Sequence, residues 1–291
     1  MQNLKKQLNR NILYDKLITT VLYTVSFMSL LFVIWLLYTV VFKHITDVRP
    51  EFITGIPEEL SEGGGIGPFL FNSFYVTILS IIIALPVSLG AGIYMAEYAK
   101  DGKFTNFIST GIEALASVPS IVLGLFGLSL FVGYFGIGLT ILGSAVTLAL
   151  LGMPVLTKVI EDALRSVPKE LRTSALALGA TKFEAISKIV LPVALSRIFT
   201  GISLVTGRAF GESAVILLVG GTSASDKLFN FDLFAPGATL AVHLWYVQSE
   251  AIVPDAHEIA MKSSAVLVCS VLLINIVLRI PGVVLNYKNR K

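Results

Sequence analysis

The stretch SVPKELRTSALALGATKFEAISKIVLP occupies positions 166–192, between two long apolar runs. Its composition is typical of short helices rather than of a loop, because good helix formers lie between recognisable start and stop signals. Ser166 predicts a helix cap, with Pro168 in the first helical turn. Gly179 predicts the end of that helix, since glycine readily takes the left-handed conformation in which many helices finish.

A second helix is predicted directly after this glycine. Thr181 and, three residues later, Glu184 form the pattern of a capping box, and the helix they start continues into the next apolar run. Small side chains along the hairpin permit close approach by another protein: Ser174, Ala175, Ala177, Gly179 and Ala180. The residues alone leave two interpretations open, a hairpin that lies on lipid and a docking element for a soluble partner.

Apolar runs extend outward from the hairpin in both directions. The chain is 55% hydrophobic and 14% charged, whereas a soluble domain carries about a quarter charged residues. A helix crosses the bilayer with about 20 apolar residues, and its backbone groups satisfy one another. We therefore predict an all-α integral membrane protein with six transmembrane helices, at residues 17–42, 66–96, 108–133, 139–157, 189–220 and 263–285. The first run exceeds the roughly 7–15 apolar residues of a signal peptide, so we expect it to remain in the chain.

The basic residues indicate which side of the membrane each segment faces. With the N-terminus inside, the inner segments hold sixteen Lys and Arg residues and the outer segments four, and such an excess marks the cytoplasmic side. The outer segments are acidic, through Asp47, Glu51, Glu58, Glu59, Glu62, Asp226, Asp232, Glu250, Asp255 and Glu258. The predicted organisation is a cytoplasmic N-terminal segment (1–16), a transmembrane domain (17–287) that includes the hairpin region (158–192), and a cytoplasmic tail (288–291).

The hairpin also resembles a motif of a known family. A glycine, nine intervening residues and Ile-x-Leu-Pro form the second part of the coupling loop of ABC-importer permeases, and this sequence has them at full spacing. The family's acidic-small-small start falls on a Thr-Ser-Ala triplet, so its glutamate is missing here. The resemblance implies a six-helix permease with a cytoplasmic coupling-helix hairpin. The implied ATPase-coupling residues are Thr173, Ser174, Ala175, Gly179, Ile189, Leu191 and Pro192.

Further stretches resemble permeases of the phosphate type, and the last of them, residues 234–242, resembles the PstA-type subunit more than its PstC-type partner. They are LPVSLG (85–90), IYMAEYA (93–99), SVPSIVLGLF (117–126), GRAFGES (207–213) and FAPGATLAV (234–242). This resemblance implies a permease subunit of an ATP-driven phosphate importer in a bacterial or archaeal inner membrane. The implied partners are a second, PstC-like permease, two cytoplasmic ATPase subunits that hold ATP and Mg, an extracytoplasmic phosphate-binding protein and membrane lipid.

No motif predicts that this chain performs chemistry of its own. The glycines at 63–65 lack the Gly-Lys-Ser/Thr continuation of a P-loop, so ATP hydrolysis is expected on a separate subunit. The three histidines are scattered along the sequence, and the basic residues form no patch with aromatics. We therefore expect a translocation subunit and not an enzyme, with no cofactor or metal bound by this chain and no nucleic-acid partner.

Two charged residues fall within the predicted fifth transmembrane helix. Arg208 and Glu212 are four residues apart, which would place them on one helix face, and each isolated charge costs about 2.5–3.5 kcal/mol at the bilayer centre. A structural ion pair and a substrate-path pair both remain open, and a guanidinium suits a phosphate oxyanion. Together with Ser120 they form the predicted substrate path. Glu97 and Glu113, at inner helix ends, are predicted to be solvated.

Three alternatives remain open at this point. A permease for another oxyanion, such as molybdate, tungstate or sulfate, fits the same spacing. A stand-alone secondary transporter or channel would work without an ATPase but leaves the hairpin unexplained. A membrane-embedded enzyme would need a paired acid, a metal cluster or an activated nucleophile, and the sequence shows none of these.

The predicted orientation can be tested by cysteine labelling. In a Cys269→Ser background, which removes the single native thiol, cysteines that replace Glu58 or Asp232 should react with a membrane-impermeant maleimide in intact cells. A cysteine that replaces Lys169 should react only after the membrane is opened, because it lies in the cytoplasmic hairpin. Labelling of Lys169→Cys in intact cells would contradict this topology.

Overall fold

The computed structural model describes residues 2–58, 63–100, 102–250 and 253–289. Within these ranges the secondary structure is helical and contains no strand, which confirms the predicted all-α class. The α-helices of these ranges are α1 (Gln2–Leu37), α2 (Pro50–Thr54), α3 (Gly67–Ile93), α4 (Lys103–Ala116), α5 (Ser120–Gly127), α6 (Ile141–Arg165), α7 (Lys169–Ala177), α8 (Lys182–Ala185), α9 (Leu191–Phe210), α10 (Ala214–Gly220), α11 (Leu240–Ser249) and α12 (Ala256–Asn289). Short π or 3-10 segments adjoin them at Tyr38–Phe42, Ile45–Asp47, Tyr94–Tyr98, Leu128–Tyr134 and Ile186–Val190. Glu59 and Glu62 of the acidic outer segment, and residues 290–291 of the predicted tail, lie outside the described residues.

Five helical segments are long and apolar enough to cross a membrane on their own. They are Asn11–Asp47, Gly67–Tyr98, Ile141–Arg165, Lys182–Phe210 and Ala256–Val284. A sixth crossing would consist of two helices, Lys103–Ala116 and Ser120–Tyr134, that meet at an angle of 91°. With this bent pair counted as one span, the described residues supply the six crossings that the sequence predicts.

The first span stands apart from the others. In its most apolar window only 6% of the residues are buried within the chain, against 61% for the window in Ile141–Arg165. The side chains in this window therefore face lipid or another subunit. The later spans form the packed bundle.

The third crossing is not the straight helix that the sequence predicts at 108–133. α4 already begins at Lys103, and α5 starts anew at Ser120. Pro119 precedes that start with φ −57° and ψ 136°, outside the helical region. Proline has no N–H for a helical hydrogen bond and disfavours a helical residue before it. The helix therefore ends here and the chain turns.

The fourth crossing is longer than predicted. We expected it to end before the charge of Lys158, yet α6 continues to Arg165. The helix continues because Glu161 pairs with Lys158 at 3.3 Å and with Arg165 at 2.9 Å, one turn away on either side. Ser166 consequently caps the end of α6, so the prediction that it starts the first hairpin helix is wrong. α7 instead follows directly after Pro168.

α3 and α6 form the centre of the bundle, and α9 packs against both. Their buried apolar side chains fall into two clusters. The first, near the starts of α3 and α6, includes Ile66, Phe69, Val76, Ile141, Leu148 and Ile216. The second, near the hairpin, includes Leu156, Ile160, Leu164, Val190 and Ile198. Gly92 lets the two central helices approach closely, because a Cβ there would lie 2.6 Å from Ile160 Cγ2.

A methyl group at position 92 should therefore destabilise the bundle. Gly92→Ala forces α3 away from Ile160, and overpacking of this kind costs about 1–3 kcal/mol. The matched control is Gly90→Ala in the same helix, where a Cβ meets nothing within 4 Å. Thermal unfolding of the detergent-solubilised chain should show a lower midpoint for Gly92→Ala alone. Equal midpoints for the two variants would show that α3 and α6 do not pack in this way.

Candidate functional site

The hairpin between α6 and α9 turns tightly after α7. Gly179 has φ +86°, a conformation that residues with a Cβ rarely adopt. The Ala180 N–H donates to Ala175 O at 3.1 Å, and the Gly179 N–H donates to Leu176 O at 3.0 Å. These are the two bonds of a Schellman motif. The prediction that Gly179 ends the first hairpin helix is confirmed.

The second hairpin helix begins with the predicted capping box. Thr181 Oγ1 accepts the Glu184 N–H at 3.2 Å, and Glu184 Oε2 accepts the Thr181 N–H at 3.0 Å. α8 then passes through the π segment Ile186–Val190 into α9, so that Lys182–Phe210 forms one helical segment. The hairpin is thereby fixed at its C-terminal end to a membrane-spanning helix.

The seven predicted coupling residues separate into a surface set and a packed set. They are Thr173, Ser174 and Gly179, which are exposed, Ala175, which is buried, and Ile189, Leu191 and Pro192, which are partly buried at the base of the hairpin.

The sequence did not reveal the apolar tip beside Gly179. There, Leu178 and Phe183 are 90% and 71% exposed. These two side chains are candidates for contact with lipid or with another protein, the two interpretations that the sequence left open.

Glu97 holds the hairpin against the end of α3, a contact that the sequence did not predict. Its side chain is 7% exposed and pairs with Arg172 of α7 at 2.6 Å. The expectation that Glu97 is solvated is therefore wrong, whereas Glu113 does keep an exposed side chain, 3.7 Å from Lys158. The Glu97–Arg172 contact joins residues 75 positions apart, so no local pattern marks it.

The predicted fifth span is broken where its two charges lie. α9 ends at Phe210, and α10 begins at Ala214. Glu212 lies in the break, where its Oε1 accepts the Ala214 N–H at 3.2 Å. Arg208 is exposed in the last turn of α9, and none of the ion pairs of the described residues joins it to Glu212. The prediction that both charges share one helix face is wrong, because Gly211, a poor helix former, interrupts the helix between them.

The break before α10 lies beside the break before α5. A Cβ on Gly124 of α5 would lie 3.2 Å from Val215 Cα, and a Cβ on Gly127 would lie 2.9 Å from Val219 Cγ2. The two helices therefore run side by side in the same direction. Ser120 lies one turn before Gly124 and is consequently level with the break that contains Glu212, another predicted path residue.

A cavity of about 180 Å³ lies between α6 and α9 beside Arg208. The rest of its lining is apolar: Leu148, Leu151, Gly152, Val155, Leu204, Val205 and Ala209. The α6 residues lie about 10–21 Å along that helix from its first residue, at 1.5 Å per residue, and a hydrocarbon layer is about 30 Å thick. The part of α6 that lines the cavity is therefore near the middle of the predicted span, and Arg208 is the one charged residue of the lining.

At the opposite end of α3 from the hairpin, His243 of α11 is buried against Phe69. The two rings stack with their centroids 4.0 Å apart, and burial lowers the pKa of His243 to about 4. The imidazole is therefore neutral at physiological pH and packs as an aromatic ring. Among the described residues, His, Cys, Asp and Glu side chains form no group of three that could hold a metal ion.

The arrangement of helices matches that of solved transporters. An inward-facing structure of the MetNI methionine ABC transporter aligns with a TM-score of 0.58 over 76% of this chain and 94% of that chain, at 21% identity. A bacterial ABC transporter involved in the import of the acidic polysaccharide alginate aligns with a TM-score of 0.56 over 95% of this chain and 98% of that chain, at 14% identity. At these identities the likeness establishes the fold.

Sequence relatives identify the family to which this fold belongs. The probable ABC transporter permease protein YqgI of Bacillus subtilis is 39% identical over 259 residues, which cover 86% of this chain and 88% of that protein. The phosphate transport system permease protein PstA of Haemophilus influenzae is 30% identical over 267 residues, which cover 92% and 93%. The PstA of Yersinia pestis is 32% identical over 258 residues, which cover 87% and 84%. Residues 88–290 match the family described as binding-protein-dependent transport system inner membrane component. The chain therefore belongs to this family, the membrane-spanning permease subunits of ABC transporters.

Proposed function

We propose that this permease carries phosphate, as the PstA-like subunit of an ATP-driven phosphate importer. Its family works as translocation subunits together with another permease, ATPase subunits and a binding protein. The choice of phosphate is supported by relatives that are named phosphate permeases and that align along most of the chain. The proposed partners are a PstC-like permease, two cytoplasmic ATPase subunits that bind ATP and Mg, and an extracytoplasmic phosphate-binding protein.

The observation that carries this proposal is the guanidinium of Arg208, which lies beside an apolar cavity and has no ion-pair partner among the described residues. A lone cation near the bilayer centre is costly, and such residues mark substrate pathways. A guanidinium offers two parallel donors to phosphate oxygens. Glu212 leaves the positive charge available, because its carboxylate accepts the N–H of Ala214 instead. Ser120, at the neighbouring helix break, adds a hydroxyl donor to the proposed path.

The hairpin is proposed to dock on an ATPase subunit through its tip. Leu178 precedes the Gly179 turn, Phe183 follows it in α8, and these exposed side chains would fill an apolar cleft. The exposed Thr173 and Ser174 lie on the preceding helix and add only small side chains to that surface. Because the packed base of the hairpin continues into α9, ATP-driven movement of the docked tip would reach the membrane domain directly. Alternating access would then follow from the two permease subunits rocking against each other.

Uptake by the reconstituted complex tests the substrate. Proteoliposomes with this chain, its partner permease, the ATPase subunits and the binding protein should accumulate radiolabelled phosphate only when ATP is supplied. Excess unlabelled phosphate should suppress the uptake of label, and sulfate, molybdate and tungstate should not. Stronger suppression by one of those three anions would reassign the substrate. Uptake without the ATPase subunits would show a secondary transporter.

Variants at position 208 should separate the role of the charge from the stability of the bundle. Arg208→Gln should assemble normally yet lower phosphate uptake about tenfold or more, since it removes a charged hydrogen-bond donor pair. Arg208→Lys should fall between Arg208→Gln and the native protein, because it keeps the charge and loses the planar fork. Complex yield and initial uptake rate are the measurements.

Glu212→Gln is the matched control for these variants. The amide oxygen of Gln still accepts the Ala214 N–H, so uptake should stay close to that of the native protein. The double variant Arg208→Gln, Glu212→Gln should transport as poorly as Arg208→Gln alone. Recovery of full uptake by the double variant would mean that the two charges form a structural pair and that Arg208 does not meet the anion.

Position 179 should control ATPase docking without affecting membrane insertion. Gly179→Val strains the turn, because a β-branched residue is very unfavourable at φ +86°, and it should displace the Leu178 tip. Gly179→Asn is the control, since Asn tolerates the left-handed region. Both variants should reach the membrane in equal amounts, and only Gly179→Val should lose the ATPase subunits during affinity purification. Retention of the ATPase subunits by Gly179→Val would argue against docking through this turn.

A further inference from the structure

Arg172 of α7 makes an unusually complete set of hydrogen bonds. Its Nη2 donates to Glu97 Oε1 at 2.6 Å and its Nε to the same oxygen at 3.0 Å. The guanidinium also donates to Val167 O at 2.6 Å and to Leu164 O at 2.7 Å. It thus joins three parts of the chain: the end of α6, the start of the hairpin and the end of α3. Its side chain is only 19% exposed.

Glu97 and its neighbour also hold the second arm of the hairpin. Lys182, the first residue of α8, donates from Nζ to the Glu97 backbone carbonyl. The same ammonium lies over the Tyr98 ring, 4.5 Å from its centroid, which adds a cation–π attraction. We call these contacts of Glu97 and Tyr98 with Arg172 and Lys182 the Glu97 clamp. Both helices of the hairpin are therefore attached to the π segment that ends the α3 span.

The other ion pairs near the hairpin do not make this connection. The pair between Lys188 and Glu184 lies within the hairpin's second arm and is largely exposed. The pair between Lys158 and Glu113 joins α6 to α4 and leaves the hairpin untouched. Exposed pairs of this kind contribute little, whereas removing one partner of a buried pair leaves an uncompensated charge. Within the described residues, the Glu97 clamp is the one ion-paired link between the hairpin and α3.

α3 can carry a displacement from the clamp across the bundle. It packs against α6 along the second hydrophobic cluster. Near its other end, Asn72 Nδ2 donates to Ala238 O at 3.1 Å, and Ser73 Oγ accepts the Leu240 N–H at 2.8 Å. A shift of the π segment would therefore reach the segment that leads into α11. The hairpin and that segment are thus attached to opposite ends of the same helical span.

We propose that Glu97 is a positioning residue for energy coupling, and that the Glu97 clamp transmits movement of the hairpin to α3. This inference rests on the proposed role of the hairpin as the ATPase docking element. The hairpin has a second attachment, through α8 into α9, so loss of the clamp leaves the docking surface in place. Without the clamp, α9 would still follow the hairpin directly, whereas α3 would be linked to the hairpin only through its packing on α6 and the hydrogen bond from Arg165 Nη2 to Met95 O at 3.0 Å. ATP would then be hydrolysed with little transport.

The experiment compares transport per ATP hydrolysed in the reconstituted complete complex. Glu97→Gln and Arg172→Lys should each retain the ATPase subunits and lower the substrate-to-ATP ratio about fivefold or more, in the range of ordinary coupling energies. The double variant should be no worse than Arg172→Lys alone, because the ion pair that Glu97→Gln removes is already broken there, together with the bonds to Val167 O and Leu164 O. Glu97→Asp, which keeps the charge, should recover part of the ratio. Glu113→Gln is the matched control and should behave like the native protein.

A readout that needs no substrate distinguishes failure of this inference from failure of the phosphate assignment. In the Cys269→Ser background, a spin label on a cysteine at Tyr94, which is exposed at the end of α3, should change its mobility when ATP is trapped with vanadate. Glu97→Gln should weaken that change, because it removes the Arg172 contact and leaves the Lys182 contacts of the clamp in place, and Glu113→Gln should preserve it. A complex that couples without transporting phosphate would overturn only the substrate.

Two results would overturn the inference itself. One is a native substrate-to-ATP ratio, or a native vanadate response, in Glu97→Gln. The other is loss of the ATPase subunits in Glu97→Gln, Arg172→Lys and Glu97→Asp alike, which would show that the clamp builds the docking surface and does not transmit its movement.

Discussion

One constraint governs most of this structure: within a hydrocarbon layer, backbone polar groups and charges need partners inside the protein. At the breaks before α5 and α10, local hydrogen-bond partners replace some of the helical ones. At the break before α5, the Val118 N–H bonds to Leu115 O, and the Ser117 hydroxyl bonds to the preceding turn. At the break before α10, Glu212 provides an acceptor for the N–H of Ala214. Both breaks are therefore stable features that side chains can use as parts of a path.

The same constraint distinguishes charged residues that have a structural partner from those that have none. Glu161 is almost fully buried and is compensated by basic residues one turn away on both sides. Glu97 is compensated by Arg172, from a distant part of the sequence. Arg208 has no such compensation from the described part of this chain, so the proposed assignment gives it a partner that arrives with the substrate. A structural ion pair and a substrate contact are thus distinguished by what each charge already touches.

The features that could be predicted from sequence are those whose physical cause is local. The Gly179 turn and the Thr181 capping box each depend on residues within one or two helical turns, and both are present. The predicted end of the fourth helix before Lys158 was wrong, because we treated the charge of Lys158 as the end of the helix. The spacing of Lys158, Glu161 and Arg165 could have indicated a helix that continues beyond the hydrocarbon layer. The Glu97 contact had no sequence signal, because the two partners meet only after α3 and the hairpin fold together. The pairing expected of Arg208 and Glu212 assumed a continuous helix, and the glycine between them removes it.

A fold shared by transporters of different substrates cannot itself select phosphate. Selection must lie in a few side chains that face the path, and coupling must connect those side chains to the hairpin. On the proposed assignment the segment Lys182–Phe210 provides that connection, since it starts in the second hairpin helix and ends two residues beyond the predicted anion contact. Its 29 residues extend about 43 Å at 1.5 Å per residue. On the proposed assignment, a displacement of the hairpin moves Arg208 as part of the same helix, while the Glu97 clamp moves α3 beside it. Such movement would change the shape of the cavity beside Arg208, because that cavity is lined by α6 and α9 and α6 packs directly on α3.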